Sequence, residues 1–315
     1  VFSNHTRSRA IVEKAAALNS REILMVENTR FEDYPSNYES SCNEELSKFW
    51  ASLGDIFVNE AFASSHRKHA STYGIAKYIP GYIGFRVQEE LEMLDKYILN
   101  AEHPFTVVMG GAKLEDKIKV IEKLLPLCDH LLLTGGIANT FLKALNINIG
   151  FSLCSNDEEL IEKIKQILLQ YRSKIVLPFD AIVGSSYDKE YTSLKMINKL
   201  DDNEIIYDLG HKTIEKYSIY LNESQTVFIN GTAGKYEDPR YANGTKEILA
   251  ALNYSGANVI VGGGDCVAAV NKFNYKDAFT YLCTGGGASL DYIANGSLIA
   301  LEPLKKEENY EVLDF

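Results

Sequence analysis

The fold is indicated most strongly by one short stretch, Val261-Gly262-Gly263-Gly264-Asp265-Cys266. It ends an apolar run that starts at Asn258, and a helix-like segment over residues 267–272 follows it. A strand that gives way to a helix through three glycines leaves backbone N–H groups exposed at the positive end of the helix dipole. The stretch therefore predicts an anion-binding turn, and the carboxylate of Asp265 predicts a divalent cation between itself and a phosphate. Taken alone, the stretch also fits an ordinary strand-to-helix turn.

Four further apolar runs end in glycine in the same way, and they lie at residues 106–111, 131–136, 227–231 and 281–287. Each run is short, rich in branched residues and followed by a helix-like segment. This pattern is typical of a parallel sheet that is covered on both faces. Because ligands bind beyond the carboxyl ends of the strands in such sheets, we expect all five glycine turns to share one edge and one ligand site.

Length, charge and cysteine content narrow the class of protein. The chain has 315 residues, enough for two domains, and 46% of them are hydrophobic. A net charge of -11 argues against nucleic acid or an anionic membrane as the main partner. The five cysteines are scattered without a Cys-x-x-Cys pair, and no apolar run reaches the about 20 residues of a membrane span. We therefore expect a cytoplasmic protein with no nucleic-acid or membrane partner.

The first part of the chain has two short apolar runs, at residues 23–26 and 56–58, which predict buried strands. The loop after the second run, residues 63–71, carries two histidines, an arginine and a lysine in an otherwise acidic protein. This composition favours a loop that faces a polyanion. Metal binding by His66 and His69, or a solvated basic turn, are the alternatives.

Two lysines, Lys113 and Lys117, follow the turn at Gly110-Gly111. Their spacing predicts that both lie on one helix face near its N-terminus, where the dipole disfavours cations and a bound anion would compensate. A pair of solvated lysines is the alternative. Glu237, in the loop after residue 231, is suited to accept hydrogen bonds from ribose hydroxyls, although most loop glutamates face water. Neither a Walker P-loop nor a Gly-x-Gly-x-x-Gly fingerprint occurs in the sequence.

Six blocks of sequence, taken in order, resemble those of phosphoglycerate kinases. They are Glu27-Asn28-Thr29-Arg30-Phe31, residues 58–69, residues 110–117, residues 140–143, residues 262–265 and residues 284–290. The resemblance implies a glycolytic enzyme that transfers a phosphoryl group reversibly from 1,3-bisphosphoglycerate to Mg-ADP. The products would be 3-phosphoglycerate and ATP. By analogy with the family, the chain would be a monomer.

The resemblance also implies an α/β fold of two lobes. Each lobe would be a parallel β-sheet flanked by helices, Rossmann-like, and a hinge helix would join the two. A helical pattern over residues 87–99, stopped by a proline at position 104, matches that helix. The implied division is an incomplete phosphoglycerate-binding lobe over 1–86, the hinge over 87–103, a nucleotide-binding lobe over 104–300, and a tail over 301–315 that in relatives returns to the N-terminal lobe.

Position by position, the resemblance implies which residues act. Arg30 and Arg67 would bind phosphoglycerate, and Asp265 would hold Mg2+. The catalytic residues would be Lys113, Lys117, Gly263 and Gly264. The implied nucleotide-binding residues are Lys113, Lys117, Gly135, Gly136, Asn230, Glu237, Gly262, Gly263, Gly264, Asp265, Cys266 and Gly285.

The sequence departs from the family pattern in two respects. An Asp-x-Asn-x-Pro segment and a His-Leu-Gly-Arg motif, which complete the substrate site in relatives, do not occur. We therefore expect an N-terminally truncated chain that is a poor kinase as it stands, and the alternative is a shortened nucleotide-binding protein without kinase activity. Cys266 stands where relatives have Ser or Thr, which predicts a lost helix cap and a thiol pKa lowered by the helix N-terminus.

Overall fold

The computed structural model describes residues 1–304, and contacts within the chain divide it into two compact units. Unit 1 comprises Val1–Glu92 together with residues 287–304, and unit 2 comprises Met93–Gly286. The sequence-based division had instead placed all of residues 104–300 in one lobe. Of the predicted tail, residues 301–304 belong to unit 1, and residues 305–315 lie outside the described part of the chain.

Unit 1 begins with two short helices and two strands that pair in parallel. They are α1 (Arg9–Ala16), α2 (Glu44–Ala51), β1 (Phe57–Asn59) and β2 (Gly81–Ile83). Each helix starts at a polar side chain that accepts a hydrogen bond from its first turn, Ser8 for α1 and Asn43 for α2. The next helix, α3 (Phe85–Leu94), continues into a wider helical turn over Asp95–Leu99, so the helical pattern predicted over residues 87–99 is confirmed.

Two predicted strands of unit 1 are far more exposed than their apolar sequences suggested. Of residues 23–26, only Met25 pairs, through a single parallel bridge to Phe2, and its side chain is 67% exposed. The buried strand predicted there is wrong. The second strand does form as β1, but the prediction that it is buried is also wrong, because Val58 is 52% exposed and β2 is its one neighbour in the described sheet. An apolar run indicates that a strand tends to be buried, but it does not indicate how many neighbouring strands and helices the fold places against it.

Unit 2 is built on a six-stranded sheet in which all neighbours are parallel. In chain order, the strands of the unit are β3 (Phe105–Met109), β4 (His130–Leu133), β5 (Ile175–Val176), β6 (Asp180–Ser185), β7 (Thr192–Met196), β8 (Glu204–Leu209), β9 (Thr226–Asn230), β10 (Asn258–Gly262) and β11 (Tyr281–Leu282). The sheet has the order β11-β10-β9-β3-β4-β5. The strands that precede the five glycine turns therefore belong to one parallel sheet, as predicted.

Helices flank this sheet, which confirms an α/β fold with a parallel sheet covered by helices. They are α4 (Ile118–Leu124), α5 (Gly135–Ala144), α6 (Glu158–Tyr171), α7 (His211–Glu223), α8 (Asn243–Ser255) and α9 (Gly264–Lys272), after which α10 (Gly287–Asn295) and a helical turn over Ile299–Leu304 belong to unit 1. Among residues 1–304, none of the helices combines the length and the apolar character that crossing a bilayer requires.

The larger buried cluster of unit 2 combines residues of the sheet with residues of α7, α8 and α9. Every residue of β3 and β9 is buried, and Val108, Ile229 and Val261 belong to this cluster together with the fully buried Tyr217 of α7. The Tyr217 hydroxyl lies 2.7 Å from the carbonyl oxygen of Leu133 and 3.0 Å from that of Val176. These contacts fix α7 beside the ends of β4 and β5.

A second, antiparallel sheet of unit 2 has the order β7-β6-β8. Its strands β6 and β7 do not end in glycine turns, and the run of β8, which is followed by Gly210 and α7, was not among the five runs recognised in the sequence, so this sheet was not predicted. The last strand, β8, ends at Leu209 after the buried Asp208. This end of β8 lies beside the loop that follows β9, where Lys235 donates its backbone N–H to the carbonyl oxygen of Tyr207.

Candidate functional site

Three of the five glycine turns of unit 2 pack against one another. A Cβ added to Gly231, which has φ +97°, would lie 2.4 Å from the carbonyl oxygen of Gly110, and one added to Gly136 would lie 2.5 Å from that of Ala112. A Cβ on Gly135 would also meet the backbone of residue 111, at 3.1 Å. Close backbone packing therefore accounts for glycine in these turns, and a ligand is not needed to explain it.

The turn between β10 and α9 is different, because it opens onto free space. Gly263 precedes the helix with φ +88°, a conformation that favours glycine, and a Cβ added to Gly264 would meet no atom within 4 Å. Gly264 and Asp265 are exposed in the first turn of α9. The first N–H groups of a helix have no partner within it, so this turn presents donors and a positive dipole end to an anion.

A buried amide lies beside that turn. Asn230, the last residue of β9, is 1% exposed, and its Nδ2 has no hydrogen-bond partner among the described residues. The same nitrogen would lie 2.9 Å from a Cβ on Gly262 and 3.3 Å from one on Gly263, which places it next to the open turn. Because a buried donor without a partner is costly, Asn230 is suited to donate to an acceptor that binds there.

Lys117 brings a positive charge to the same strand ends. Its Nζ donates to the carbonyl oxygen of Gly110 at 2.6 Å and to that of Asn230 at 3.3 Å. Burial lowers the pKa of Lys117 from 10.5 to about 8, against the opposing effect of Cys266, Asp265 and a neighbouring acidic residue. No carboxylate of residues 1–304 forms an ion pair with this ammonium group. A bound anion would supply the missing opposite charge.

Lys113 does not share a helix face with Lys117, so that prediction is wrong. The chain over residues 111–116 forms turns, Lys117 is the cap of α4, and the helix begins at Ile118. The N–H of Lys117 bonds to the carbonyl oxygen of Leu114 in one of these turns. Lys113 is therefore an exposed loop residue near the same strand end.

The prediction for Cys266 is also wrong. The cap of α9 is Gly263, and Cys266 is a buried residue inside the first turn. Burial raises the pKa of the Cys266 thiol to about 12, although the backbone N–H of Gly231 and the charge of Lys117 both act in the opposite direction. Desolvation outweighs the effect of the helix N-terminus, so the thiol is neutral and unreactive near neutral pH.

The loop that follows β9, residues 231–237, ends in the exposed Glu237 and is held by side chains from other elements. Thr245 of α8 accepts from the N–H groups of two loop residues, at 3.1 and 3.4 Å. Lys272 of α9 donates to the carbonyl oxygen of Tyr236 at 2.8 Å. Sequence reasoning did not identify Thr245 or Lys272, because neither lies in a glycine turn. Gly285, another predicted site residue, follows β11 and is buried.

Unit 1 has a cavity of about 480 Å³ that is lined by both predicted substrate arginines, Arg30 and Arg67. Glu39, Glu60 and His69 also line it. The two arginines lie in separate parts of the sequence, and the fold of unit 1 brings them to one concave surface.

A chain of contacts orients Arg30 in this cavity. Its Nε lies 2.9 Å from a carboxylate oxygen of Asp33, and its Nη1 lies 3.4 Å from Nε2 of His69. The other ring nitrogen of His69 is 3.8 Å from the buried carboxylate of Glu39, which also accepts from both the N–H and the hydroxyl of Ser71. Burial lowers the pKa of His69, with Glu39 opposing and the arginines adding to the effect. A neutral His69 can accept from Arg30, whereas a protonated one cannot.

Over nearly its whole length, the chain is similar to known proteins of one family. The sequence model described as "Phosphoglycerate kinase" matches residues 1–296. The phosphoglycerate kinase of Fusobacterium nucleatum is 39% identical over 97% of this chain and 78% of its own length. That of Mycoplasma genitalium is 42% identical over 97% of this chain and 77% of its own length.

The chain belongs to the phosphoglycerate kinase family.

Solved phosphoglycerate kinases have a similar structure. The crystal structure from Pyrococcus horikoshii matches with a TM-score of 0.81 at 30% identity, over 96% of this chain and 77% of that one. The structure from Coxiella burnetii matches with a TM-score of 0.79 at 38% identity, over 89% of this chain and 72% of that one. By homology over nearly its whole length, the chain has phosphoglycerate kinase function, that of an ATP-binding phosphotransferase of glycolysis.

Proposed function

We propose that this phosphoglycerate kinase transfers a phosphoryl group reversibly between 1,3-bisphosphoglycerate and Mg-ADP, giving 3-phosphoglycerate and ATP, through the residues described above. One observation carries the residue assignment. The open turn at Gly263 and Gly264 lies next to a buried amide without a partner, on Asn230. Near the same strand ends lies the half-buried ammonium of Lys117, whose pKa is lowered by burial. Unpaired donors and an uncompensated cation at one place favour a phosphate ligand.

At the phosphate end, each residue supplies a donor or a charge. The backbone N–H groups from Gly262 to Cys266 would bind the phosphoryl oxygens at the start of α9, and Lys113 and Lys117 would neutralise their charge. Phosphoryl transfer needs little covalent chemistry from the protein, so fixed charges that stabilise the equatorial oxygens are the main requirement. Desolvation of Lys117 strengthens this interaction because the charge acts in a medium of low dielectric constant.

At the other end of the nucleotide, Glu237 would accept from the ribose hydroxyls, and Gly135, Gly136 and Gly285 would line the surface against the adenosine. Glu237 is exposed at the end of its loop, which leaves its carboxylate available to a ligand. The first two glycines leave no room for a side chain, since residues 111 and 112 lie against them.

Magnesium would be held by Asp265 together with the nucleotide phosphates. Mg2+ in nucleotide sites takes one or two protein carboxylates and fills its remaining positions with phosphate oxygens and water. The exposed carboxylate of Asp265, beside donors suited to phosphate, fits that pattern. Residues 1–304 contain no group of three or more side chains that could hold a metal ion without the nucleotide. When bound, the ion would neutralise charge on the phosphates.

Arg30 and Arg67 would bind phosphoglycerate in the cavity of unit 1. Two guanidinium groups on one concave surface suit a ligand with a carboxylate and a phosphate, because each can bind such a group through two hydrogen bonds. On this proposal, unit 1 corresponds to the phosphoglycerate-binding lobe and unit 2 to the nucleotide-binding lobe, with residues 87–103 connecting them. Family analogy further supports a cytoplasmic monomer.

Calorimetry with two ligands tests these assignments. Mg-ADP should bind the wild-type chain, and Asp265→Ala should weaken the binding of Mg-ADP while leaving the binding of metal-free ADP nearly unchanged. Arg30→Ala should weaken the binding of 3-phosphoglycerate and leave that of Mg-ADP unchanged. If a folded wild-type chain bound neither ligand, or if Asp265→Ala bound Mg-ADP as the wild type does, the assignments would be wrong. Binding of Mg-ADP without turnover would instead favour a nucleotide-binding protein that lacks kinase activity.

A further inference from the structure

A buried carboxylate lies behind the loop of residues 231–237. Asp208, near the end of β8, is 1% exposed and forms no ion pair with a cation of residues 1–304. Its Oδ2 accepts a 2.7 Å hydrogen bond from the backbone N–H of Gly244, in the first turn of α8. A negative charge at that position is favoured by the helix dipole and by the unpaired N–H groups of the first turn.

The carboxylate is wedged between this helix and the loop. A Cβ added to Gly244 would lie 2.2 Å from Oδ1 of Asp208, and one added to Gly234 of the loop would lie 2.3 Å from the same atom. Glycine on both sides lets the two backbones approach the carboxylate closely. Asp208 therefore sets the spacing between the start of α8 and the middle of the loop.

Two further contacts continue from Asp208 into the loop. Thr245, next to Gly244, accepts through Oγ1 from the N–H groups of Ala233 and Gly234, at 3.1 and 3.4 Å. Tyr207, the residue before Asp208, accepts from the N–H of a third loop residue at 2.9 Å. The loop is thus hydrogen-bonded to the end of β8 and to the helix start that Asp208 caps.

We propose that Asp208 is a positioning residue for the nucleotide. Asp208 fixes the start of α8, and Thr245 of that helix start in turn fixes the loop of residues 231–237. Asp208 thereby holds Asn230 and Glu237, which lie at the two ends of one rigid segment formed by this loop. The inference rests on the proposed nucleotide site, to which both of those residues are assigned. Asp208 itself touches neither the nucleotide nor the transferred phosphoryl group.

The protonation of Asp208 gives this role a distinct signature. Burial raises the pKa of Asp208 to about 6, and the backbone N–H groups of Gly244, Leu209 and Asn243 oppose the rise. A protonated carboxyl is a weaker acceptor for the Gly244 N–H, so nucleotide affinity should fall as the pH drops through about 6. Folding, in contrast, favours the protonated form, because the folded pKa lies above the ordinary 3.8. As the pH falls through about 6, nucleotide affinity should therefore decrease while the contribution of Asp208 to folding stability increases.

Other titratable groups lie on the elements around Asp208, and they are common to the wild type and Asp208→Asn. They are Glu204 and Tyr207 on β8, Tyr236 and Glu237 in the loop together with Lys235, whose ammonium lies over the Tyr207 ring at 5.7 Å, and Lys246 and Glu247 in the first turns of α8. The last two are exposed to solvent. Comparison of the wild type with Asp208→Asn at each pH also cancels the titration of the nucleotide phosphates.

The chain contains a matched control, because Asp180 caps α7 in the way that Asp208 caps α8. Its carboxylate accepts from the N–H groups of Lys212 and Thr213 at 3.1 and 2.8 Å, and Gly210 lies against it as Gly244 does against Asp208. No hydrogen bond joins Asp180 to the loop of residues 231–237 among the described contacts. Asp180→Asn therefore removes the same kind of cap without touching the loop.

The test is calorimetry with Mg-ADP on the full chain at pH 7.5 and 5.5, with urea unfolding on the same samples. Asp208→Asn should bind about tenfold more weakly at pH 7.5, as expected for the loss of one charge-assisted hydrogen bond, and should be at least as stable as the wild type. Asp180→Asn should bind within about twofold of the wild type. At pH 5.5 the wild-type affinity should approach that of Asp208→Asn.

Equal affinities of wild type and Asp208→Asn at pH 7.5, or parallel pH profiles, would overturn the positioning role while leaving the nucleotide site intact. Absence of Mg-ADP binding by the wild type would instead overturn the proposed function, and the positioning role with it. Thr245→Val provides a second variant should Asp208→Asn fail to fold. This variant removes the hydroxyl that accepts hydrogen bonds from the loop N–H groups, so it should also weaken the binding of Mg-ADP. Unchanged binding would contradict the proposal.

Discussion

Replacing Lys117 by methionine should make the ligand-free protein more stable and the nucleotide complex weaker. Burial lowers the pKa of Lys117 from 10.5 to about 8, so the folded chain disfavours its charged form. That difference corresponds to a cost of about 3 kcal/mol at neutral pH. Methionine also loses the hydrogen bonds to the carbonyl oxygens of Gly110 and Asn230, at 2.6 and 3.3 Å, which together offset about 1–2 kcal/mol. We expect a net gain in unfolding free energy of about 1–2 kcal/mol.

Urea unfolding at several pH values measures this gain, and Lys119→Met, on the exposed side of α4, is the matched control. The unfolded chain binds the Lys117 proton more tightly than the folded chain does. Wild-type stability should therefore rise relative to Lys117→Met between about pH 8, the folded pKa, and pH 10.5. Above that range the neutral amine keeps its hydrogen bonds without the cost of burying a charge, so the wild type should be the more stable protein by about 1–2 kcal/mol. Lys119→Met should stay within about 0.5 kcal/mol of the wild type. A Lys117→Met protein that is less stable than the wild type at pH 7, or one that binds Mg-ADP normally, would show that Lys117 is not a destabilising, nucleotide-binding charge.

Three further predictions concern the glycine turns and the cavity of unit 1. Gly231→Ala should lower the unfolding free energy measured in urea by about 3 kcal/mol, because its Cβ would lie 2.4 Å from the Gly110 carbonyl oxygen. Gly264→Ala should instead leave the unfolding free energy nearly unchanged and weaken the binding of Mg-ADP in calorimetry. Glu39→Gln should weaken 3-phosphoglycerate about tenfold in the same assay, since the buried carboxylate orients the ring that contacts the substrate arginine; normal binding would contradict this. His69→Gln should reduce the loss of stability below pH 6.5, because the folded chain holds His69 with a lowered pKa; an unchanged pH dependence would count against it.

The parallel sheet of unit 2 could be predicted from the sequence because its signal is local. Each strand that precedes a glycine turn is a short apolar run next to that turn, and burial on both faces demands such a run. Strands β6 and β7 of the antiparallel sheet have no comparable local signal, and β8, although Gly210 and a helix follow it, pairs antiparallel in this sheet instead of joining the parallel one. The exposure of Met25 and Val58 could not be predicted from the sequence either, because it depends on which elements the fold places beside them.

At the candidate site, the sequence suggested which residues to consider but not their environments. Lys117 was expected on a helix with Lys113, and Cys266 was expected to have a lowered thiol pKa. The structure places Lys117 at a helix cap and buries Cys266 completely enough to raise that pKa to about 12. The desolvation of a side chain depends on distant parts of the chain, so it cannot be predicted from a short stretch of sequence. For the same reason the sequence did not single out Asp208, since its contacts are with residues 234 and 244.

On the proposed function, the residues at the ends of β9 and β10 bind a nucleotide whose phosphoryl group goes to phosphoglycerate. ADP release from Mg-ATP, followed with and without 3-phosphoglycerate, measures this transfer. We expect release that requires 3-phosphoglycerate and Mg2+, falls at least about 100-fold in Lys117→Met, and persists in Lys119→Met. Release that did not depend on 3-phosphoglycerate, or that Lys117→Met left unchanged, would contradict the proposed function.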